Sequence, residues 1–231
     1  MTGPVVSFVV PAKAEERYLS SALASVRDQR TDREYELLVV DGDGDATPEI
    51  AREYDATVVE QPESGVADGG RTHQRSAIAD ARHRGAEQAA GDWLAFVDAD
   101  TAVHPDYVDA MLAFARREDL AAASSRCRLV GPARAKLMEA TINHVFPRLD
   151  RPILPGFNFF VRREAYDAAG GFPTVPNEDT AFSRRLGRDW ATGYHPDVLV
   201  RTSARRIASS GLTGTLYHYL RLDYHRLRAD Y

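Results

Sequence analysis

The sequence predicts an α/β protein with a doubly wound, mostly parallel central sheet and helices on both of its faces. Two observations predict this fold class. Runs such as residues 5–10 (VVSFVV) are β-branched and apolar almost throughout, as in strands that are covered on both faces. Segments with apolar residues at helical spacing separate these runs, and regular alternation of strands and helices is typical of a parallel sheet.

Local patterns predict each element of the first hundred residues. Strands are predicted at residues 5–10, 37–40, 56–59 and 93–97. The first helix is predicted at 15–29, where apolar residues recur at helical spacing. Thr47 is predicted to cap a second helix that starts with Pro48. A helical pattern after Thr72 then continues to about residue 90.

The second half has a less regular pattern. It predicts helices at 106–117, 133–145, 164–169 and 179–186, and strands at 120–129 and 157–161. Residues 212–231 are predicted to form a C-terminal appendage. Leu216, Leu220 and Leu227 make an apolar stripe there, with arginines and histidines around it.

Composition excludes several classes of protein. The chain has 231 residues, of which 44% are hydrophobic and 27% charged, as in an ordinary globular protein. A net charge of -5 argues against a general nucleic-acid-binding protein, which would show a basic surface. Cys127 is the only cysteine, so an intrachain disulfide and a cysteine zinc cluster are both excluded. No signal-peptide pattern or membrane-spanning run is present, and we expect a cytoplasmic protein.

Polar groups follow three of the predicted strands, at the sheet edge where ligands bind in this class of fold. They are the turn at 11–15, Asp41, and the run 98–100. Asp98 and Asp100 are two positions apart, so in extended backbone they project to the same side. Two such carboxylates suit a hard divalent cation. With equal weight, Asp100 and Thr101 could instead cap a helix that opens a few residues later.

Several runs of sequence, in order, resemble family-2 glycosyltransferases. VSFVVPAKAEERYLSSALASV, LLVVDG, ARHRG and AGDWLAFVDAD resemble the nucleotide-binding half, and PGFNFFVRRE, GGF and the pair Glu178–Asp179 resemble the acceptor half. The resemblance implies a GT-A fold over residues 1–211, with a nucleotide-binding half at 1–100 and an acceptor half at 101–211. It also implies a nucleoside-diphosphate sugar as donor, Mg²⁺ or Mn²⁺, and an acceptor hydroxyl on a sugar, a lipid-linked molecule or another compound.

The resemblance assigns roles to individual residues. It implies that the donor is bound by Pro11, Ala12, Lys13, Glu15, Asp41, Arg82, Asp98 and Ala99. Asp98 and Asp100 would hold the metal. Apart from the resemblance, His195 is a candidate third ligand or simply a surface or hydrogen-bonded histidine. Asp179, with Glu178 beside it, would be the catalytic base of an inverting reaction. From the residues alone, Asp179 could equally cap the helix at 180–186.

Two further features of the resemblance concern details of the site. Thr202 to Arg206 resembles a C-terminal stretch in which one arginine closes over the diphosphate. Ala14 and His83 each replace an asparagine that the family usually has. These two departures leave the identity of the base and the sugar open.

Other functions fit the sequence less well. A nicotinamide-dependent oxidoreductase needs a glycine-rich turn after its first strand, and residues 11–15 contain no glycine. A nucleotidyltransferase would usually carry a glycine-rich, basic phosphate loop there. A nucleotide-sugar-binding protein that has lost catalysis stays an alternative. The appendage at 212–231 could contact a membrane peripherally, pack on the domain or form a homodimer.

Overall fold

The computed structural model describes residues 3–42, 45–61 and 73–205. Within these ranges, eight strands form one sheet: β1 (Val6–Ala12), β2 (Tyr35–Asp41), β3 (Thr57–Glu60), β4 (Trp93–Val97), β5 (Thr101–Val103), β6 (Ala122–Val130), β7 (Asn158–Arg162) and β8 (Thr192–Ser203). The helices are α1 (Glu16–Arg27), α2 (Thr47–Glu53), α3 (His73–Gln88), α4 (Tyr107–Arg117), α5 (Ala135–Ala140), α6 (Arg163–Ala168) and α7 (Glu178–Asp189). The appendage predicted at 212–231 lies outside the described residues.

The strand order in the sheet is β3-β2-β1-β4-β7-β6-β8-β5. The first four strands pair in parallel, as do β6 and β8, whereas β7 is antiparallel to both β4 and β6. β5 forms a short antiparallel edge beside β8. The predicted fold class, with a mostly parallel central sheet between helices, is therefore confirmed.

Alternate residues of the central strands pack on opposite faces of the sheet. In β1, Phe8 and Val10 belong to one apolar cluster, which includes side chains of α1, α2 and α4. Val9 belongs to the other cluster, together with side chains of α3, α6 and α7. All three β1 residues are fully buried, which explains why this strand is a continuous apolar run in the sequence.

A buried polar group fixes the antiparallel strand β7 in place. The amide nitrogen of Asn158 donates to the backbone oxygen and the hydroxyl of Ser125 on β6, at 3.1 and 2.9 Å. The amide oxygen accepts a 3.0 Å hydrogen bond from the hydroxyl of Tyr107 on α4. All three side chains are buried, so these bonds replace the water that the polar groups would otherwise need.

The structure differs from the predicted local elements in three respects. Residues 192–203 form β8 and residues 101–103 form β5, and neither strand was predicted. The helix predicted at 133–145 ends as α5 at Ala140 and continues as a π-helical turn, Thr141–Val145, and a 3-10 turn, Phe146–Arg148. Thr47 does not cap α2 but is its first residue, and its N–H donates to the Asp45 carboxylate at 2.9 Å.

The described helices are each too short or too polar to cross a lipid bilayer.

Candidate active site

A pocket of about 300 Å³ opens at the carboxyl ends of β1 and β4. Its lining comes from both halves of the chain: Pro11, Ala12, Lys13, Glu15, Gln61, Ala77, Ile78, Ala81, Asp98, Ala99, Asp100, Leu129, Met138, Ile142, Phe157, Thr202, Ser203, Ala204 and Arg205. The first half contributes Lys13 and the carboxylates Glu15, Asp98 and Asp100, whereas the second half contributes Arg205 and four apolar side chains, Leu129, Met138, Ile142 and Phe157, which we call the apolar wall. Its volume and mixed lining are those of a small-molecule site.

Asp98 and Asp100 reach the pocket because β4 ends at Val97 and the chain turns into β5. The N–H of Thr101 donates to the backbone oxygen of Asp98 at 2.9 Å, which closes this turn. Thr101 is then held by a 2.7 Å hydrogen bond from its hydroxyl to that of Thr202 on β8. The alternative that Asp100 caps a helix is therefore wrong, because a strand follows it and α4 starts only at Tyr107.

Arg82 of α3 lies behind the pocket wall and is buried, with 2% of its side chain exposed. Its Nη2 donates to Asp98 Oδ1 at 2.9 Å and its Nη1 donates to Glu178 Oε1 at 2.5 Å. Burial lowers the pKa of Arg82, but the charges of Asp98, Glu178 and Asp179 outweigh burial and raise it above its usual value. Arg82 is therefore a fixed cation between the carboxylates of Asp98 and Glu178.

Glu178 and Asp179 start helix α7 and have different surroundings. Glu178 is bound by Arg82. Burial raises the pKa of the Glu178 carboxyl, and the neighbouring negative charge of Asp179 raises it further. The positive charge of Arg82 lowers this pKa but does not outweigh burial. Asp179 instead accepts a 3.0 Å hydrogen bond from the backbone N–H of Gly156. Asn177, not Asp179, occupies the N-cap position of α7, although its side chain makes no capping hydrogen bond. Asp179 lies in the first turn, where its Oδ1 accepts a 2.6 Å hydrogen bond from the N–H of Thr180.

Gly156 separates Arg82 from Asp179 and leaves no space for a side chain. A Cβ at this position would lie 2.5 Å from Arg82 Nη2 and 2.8 Å from its Cζ. The same residue donates its N–H to Asp179. Close approach of the backbone to a buried guanidinium therefore requires glycine here.

Arg205 closes the other side of the pocket, just after β8. Both of its terminal nitrogens donate to the carboxylate of Glu15, one of them at 2.6 Å, and its Nε lies 3.1 Å from Asp100 Oδ2. Its guanidinium also lies over the ring of Tyr18, 5.0 Å from the ring centre. A cation of the chain itself thus lies beside the carboxylate that was predicted to hold a metal.

The structure brings most of the predicted donor and metal residues into this one pocket. The residues that line it are Pro11, Ala12, Lys13, Glu15, Asp98, Ala99 and Asp100. Asp41 lies at the same sheet edge, paired with Ala12, but does not line the pocket. Arg82 lies behind Asp98. His195 packs against Phe114, with ring centres 5.1 Å apart, and does not line the pocket either.

Sequence reasoning did not single out Gln61, which lines the pocket after β3. Its amide nitrogen donates to the Ala77 backbone oxygen and to Asp80 Oδ2, both at 2.9 Å. Gln61 is a polar residue directly after a parallel strand, and the same pattern identified Asp41 as a candidate. This pattern could therefore have identified Gln61 from the sequence. No local sequence pattern could have identified the residues of the apolar wall, because they lie on separate elements of the fold.

The family model described as Glycosyl transferase family 2 matches residues 7–170 of the chain. The chain belongs to glycosyl transferase family 2. The match covers β1 to α6 and so includes Arg82, Asp98, Asp100 and Gly156. It ends before Glu178 and Asp179.

Two curated relatives are similar to part of this family-2 chain. It is 33% identical over 117 residues to the protein EpsH of Bacillus subtilis (strain 168), and 36% identical over 110 residues to Glycosyltransferase AglE of Haloferax volcanii. The alignments cover 48% and 47% of this chain, but 30% and 34% of the relatives. They thus span about a third of the length of the curated relatives.

Solved structures show the same fold. The mannosyltransferase PcManGT from Pyrobaculum calidifontis, in complex with GDP-Man and Mn²⁺, has a TM-score of 0.69 and 21% identity, covering 96% of this chain and 65% of that one. S. aureus TarS 1-349 in complex with UDP-GlcNAc has a TM-score of 0.67 and 20% identity, covering 87% of this chain and 58% of that one. The family-2 chain therefore has a GT-A fold.

Proposed function

We propose that this protein transfers a sugar from a nucleoside-diphosphate sugar to an acceptor hydroxyl with the help of Mg²⁺ or Mn²⁺. The observation that carries the proposal is the pocket itself. It places Asp98 and Asp100 at the ligand-binding edge of a GT-A fold, within a chain of family 2. Two of the solved GT-A structures are complexes with sugar nucleotides, and one of them also contains Mn²⁺.

The pocket carboxylates suit a hard divalent cation, because such ions take oxygen ligands. Asp98 and Asp100 are both paired with guanidinium groups here, so each already has a positive partner. Among the residues that the structure describes, no cluster of three or more ligating side chains exists. We therefore propose Asp98 and Asp100 as the protein ligands, with diphosphate oxygens and water as the others. A bound cation would offset the charge that develops on the leaving diphosphate.

On the donor side, the residues of the turn after β1 would surround the nucleotide. Lys13 offers a positive charge to phosphate, and Pro11 and Ala12 offer an apolar surface next to Asp41, our candidate for recognising the base. Arg205 is bonded to Glu15 and Asp100 at the rim and could turn toward the diphosphate without leaving the pocket. A guanidinium binds phosphate oxygens through paired hydrogen bonds.

On the acceptor side, Asp179 is our candidate for the base that removes the proton of the attacking hydroxyl. Its Oδ2 is oriented by Gly156, whereas the Glu178 carboxylate is already bound to Arg82. A base must be held within hydrogen-bond reach of the proton it takes, and a fixed orientation favours that. Attack from the face opposite the leaving group would invert the anomeric centre.

We propose only that the acceptor carries a hydroxyl group. It is a sugar, a lipid-linked molecule or another alcohol. Contact of residues 212–231 with a membrane or a second copy stays a prediction, because these residues lie outside the described ranges.

A donor screen tests the proposed function. The protein is incubated with Mn²⁺ and a panel of UDP-, GDP- and dTDP-sugars, with and without simple sugar and lipid-linked acceptors, and the released nucleotide is identified. Release of a nucleoside diphosphate is expected from one donor class. Release of pyrophosphate instead would indicate nucleotidyl transfer. Binding of a donor by calorimetry without any turnover would indicate a binding protein that has lost catalysis.

A further inference from the structure

Exposed apolar side chains are concentrated in one part of the described surface. Of the five large apolar residues that are exposed within it, four lie between positions 130 and 149: Val130, Leu137, Val145 and Leu149, with exposed fractions from 40% to 61%. Leu137 and Val145 are eight residues apart on the helical segment that runs from α5 through the π-helical turn, a spacing that returns to the same side. Clustered exposed apolar residues mark an interaction surface more often than scattered ones do.

The same stretch of chain also carries exposed basic side chains. Arg128, Arg134, Lys136, Arg148 and Arg151 are exposed in the same stretch, against a single exposed acid, Asp150. The other acid, Glu139, is half-buried and accepts hydrogen bonds from Lys136 at 2.9 and 3.0 Å. The chain as a whole has a net charge of -5, so this concentration of positive charge runs against the overall composition. We call these four apolar and five basic residues the 128–151 face.

The 128–151 face shares its helical segment with the pocket. Met138 and Ile142, four residues apart, line the pocket from the other side of the segment, and Leu129 precedes Val130 in β6. The N–H of Ala204, another lining residue, donates to the backbone oxygen of Val130 at 2.9 Å. The face therefore begins at the pocket rim, and only the thickness of one helix separates the two.

We propose that the 128–151 face binds the surface of an anionic lipid bilayer. Leucine and valine side chains that project from a helix can enter the boundary between headgroups and acyl chains, while arginine and lysine bind the anionic headgroups. An apolar protein partner would cover the four apolar residues but would offer no anionic groups to the five basic ones, which outnumber the two acids of the same stretch, Glu139 and Asp150. An anionic bilayer offers acyl chains to the apolar residues and anionic headgroups to the basic ones. Binding by this face would hold the pocket rim next to the bilayer.

Vesicle sedimentation of the full chain tests the proposal, and it needs neither a donor nor turnover, so it is independent of the proposed function. The protein is spun with vesicles of phosphatidylglycerol and phosphatidylcholine in equal parts, or of phosphatidylcholine alone. Binding is expected for the anionic vesicles, with at least tenfold weaker binding to the neutral ones, and rising salt should release the protein. Failure to bind anionic vesicles at low salt would overturn the proposal.

Substitutions locate the binding surface. Leu137→Glu combined with Val145→Glu should weaken binding to anionic vesicles by roughly a hundredfold, because two apolar side chains leave the lipid and two negative charges are added. The matched control is Thr57→Glu, which adds a charge at an exposed position of β3, the opposite edge of the sheet, and should change binding less than threefold.

Two other measurements on the Leu137→Glu, Val145→Glu protein complete the test. Its unfolding temperature and its elution in gel filtration should match those of the unmodified protein. Unchanged vesicle binding would place the lipid contact elsewhere, for example in residues 212–231, and would overturn the proposal. A lower unfolding temperature would show that another part of the chain covers the face, and a change from dimer to monomer would show that a second copy does. Either result would also overturn it.

Discussion

The guanidinium of Arg82 and the carboxylate of Glu178 form a 2.5 Å hydrogen bond, although 96 positions separate them in the sequence. The bond joins helix α3, which follows β3, to the first turn of α7. Because Arg82 also holds Asp98, one buried cation fixes the relative positions of the Asp98 and Glu178 carboxylates. Loss of this cation would leave buried negative charges without a partner, and that situation is costly.

We therefore expect Arg82→Met to lower the free energy of unfolding by about 3–5 kcal/mol, as when one partner of a buried ion pair is removed. Urea unfolding measures this. Adding Glu178→Gln to the variant should restore part of the loss, because the uncompensated charge is then removed. The control is Arg84→Met on the same helix, whose exposed pair with Asp80 should contribute less than about 1 kcal/mol. Equal losses in the two single variants would contradict a special role for Arg82.

Asp100→Asn should lower turnover about a hundredfold or more, because it removes a charged oxygen from the proposed cation site. Stability should change by no more than about 1 kcal/mol, since Arg205 keeps its bonds to Glu15. Steady-state kinetics and thermal unfolding measure the two effects. Asp106→Asn, an exposed carboxylate paired with Arg30, is the control and should retain activity. Full activity of the Asp100 variant, or of the unmodified protein in EDTA, would refute the metal assignment.

Arg205→Ala should raise the affinity for Mn²⁺ severalfold in the protein without nucleotide. The substitution removes a cation that lies 3.1 Å from Asp100, so an incoming metal no longer competes with it. Isothermal titration calorimetry with Mn²⁺ alone measures the change. Arg201→Ala, at an exposed position of β8, controls for the loss of a positive charge. Weaker Mn²⁺ binding by the Arg205 variant would show instead that the arginine supports the site.

Asp179→Asn should lower turnover strongly and leave donor affinity nearly unchanged, because a general base acts in the transition state and not in donor binding. Asparagine has one amide oxygen, so it keeps only one of the two backbone hydrogen bonds that the carboxylate accepts, from Gly156 and from Thr180. We expect the loss of one such bond to lower the free energy of unfolding by about 1–3 kcal/mol, with the fold retained. Turnover at saturating donor and donor affinity by calorimetry are compared. Asp189→Asn, at the exposed end of α7, is the control. Loss of donor binding with normal turnover at saturation would place Asp179 on the nucleotide side.

Gly156→Ala should destabilise the protein by about 1–3 kcal/mol, as overpacking of a full interior does. The added methyl group would press on the Arg82 guanidinium, which is bound on both sides and cannot move away. Turnover should fall as well, since Gly156 orients Asp179. Gly187→Ala in α7, whose new Cβ would come no closer than 3.3 Å to Arg151, is the matched control. Equal unfolding free energies and equal turnover of the two variants would show that the close packing at Gly156 is needed for neither stability nor catalysis.

The sequence predicted the parallel half of the sheet and its carboxylates well, because the signals there are local. β1 is buried at every position, and Asp98 directly follows a buried strand. β8 was missed because its first residues are half-buried or exposed, and its register with β6 shifts around Arg126. No local sequence pattern predicts such a strand, because it forms through its pairing with β6 and β5. Arg82 was predicted to contact the donor, but its burial depends on Glu178 and Gly156, both more than 70 positions away in the sequence.

The position of β7 in the sheet has a consequence for how the chain folds during synthesis. β4 is complete at Val97, but the strand that covers its open edge ends only at Arg162. Until then, a nascent chain presents an apolar edge that could pair with another chain, and the non-local closure slows folding. When β7 does enter, Asn158 makes all its hydrogen bonds only in the native register, because a slip by one residue would turn its amide to the other face of the sheet. The buried Asn158 thus favours the native register when β7 pairs with β4 and joins the two halves of the chain.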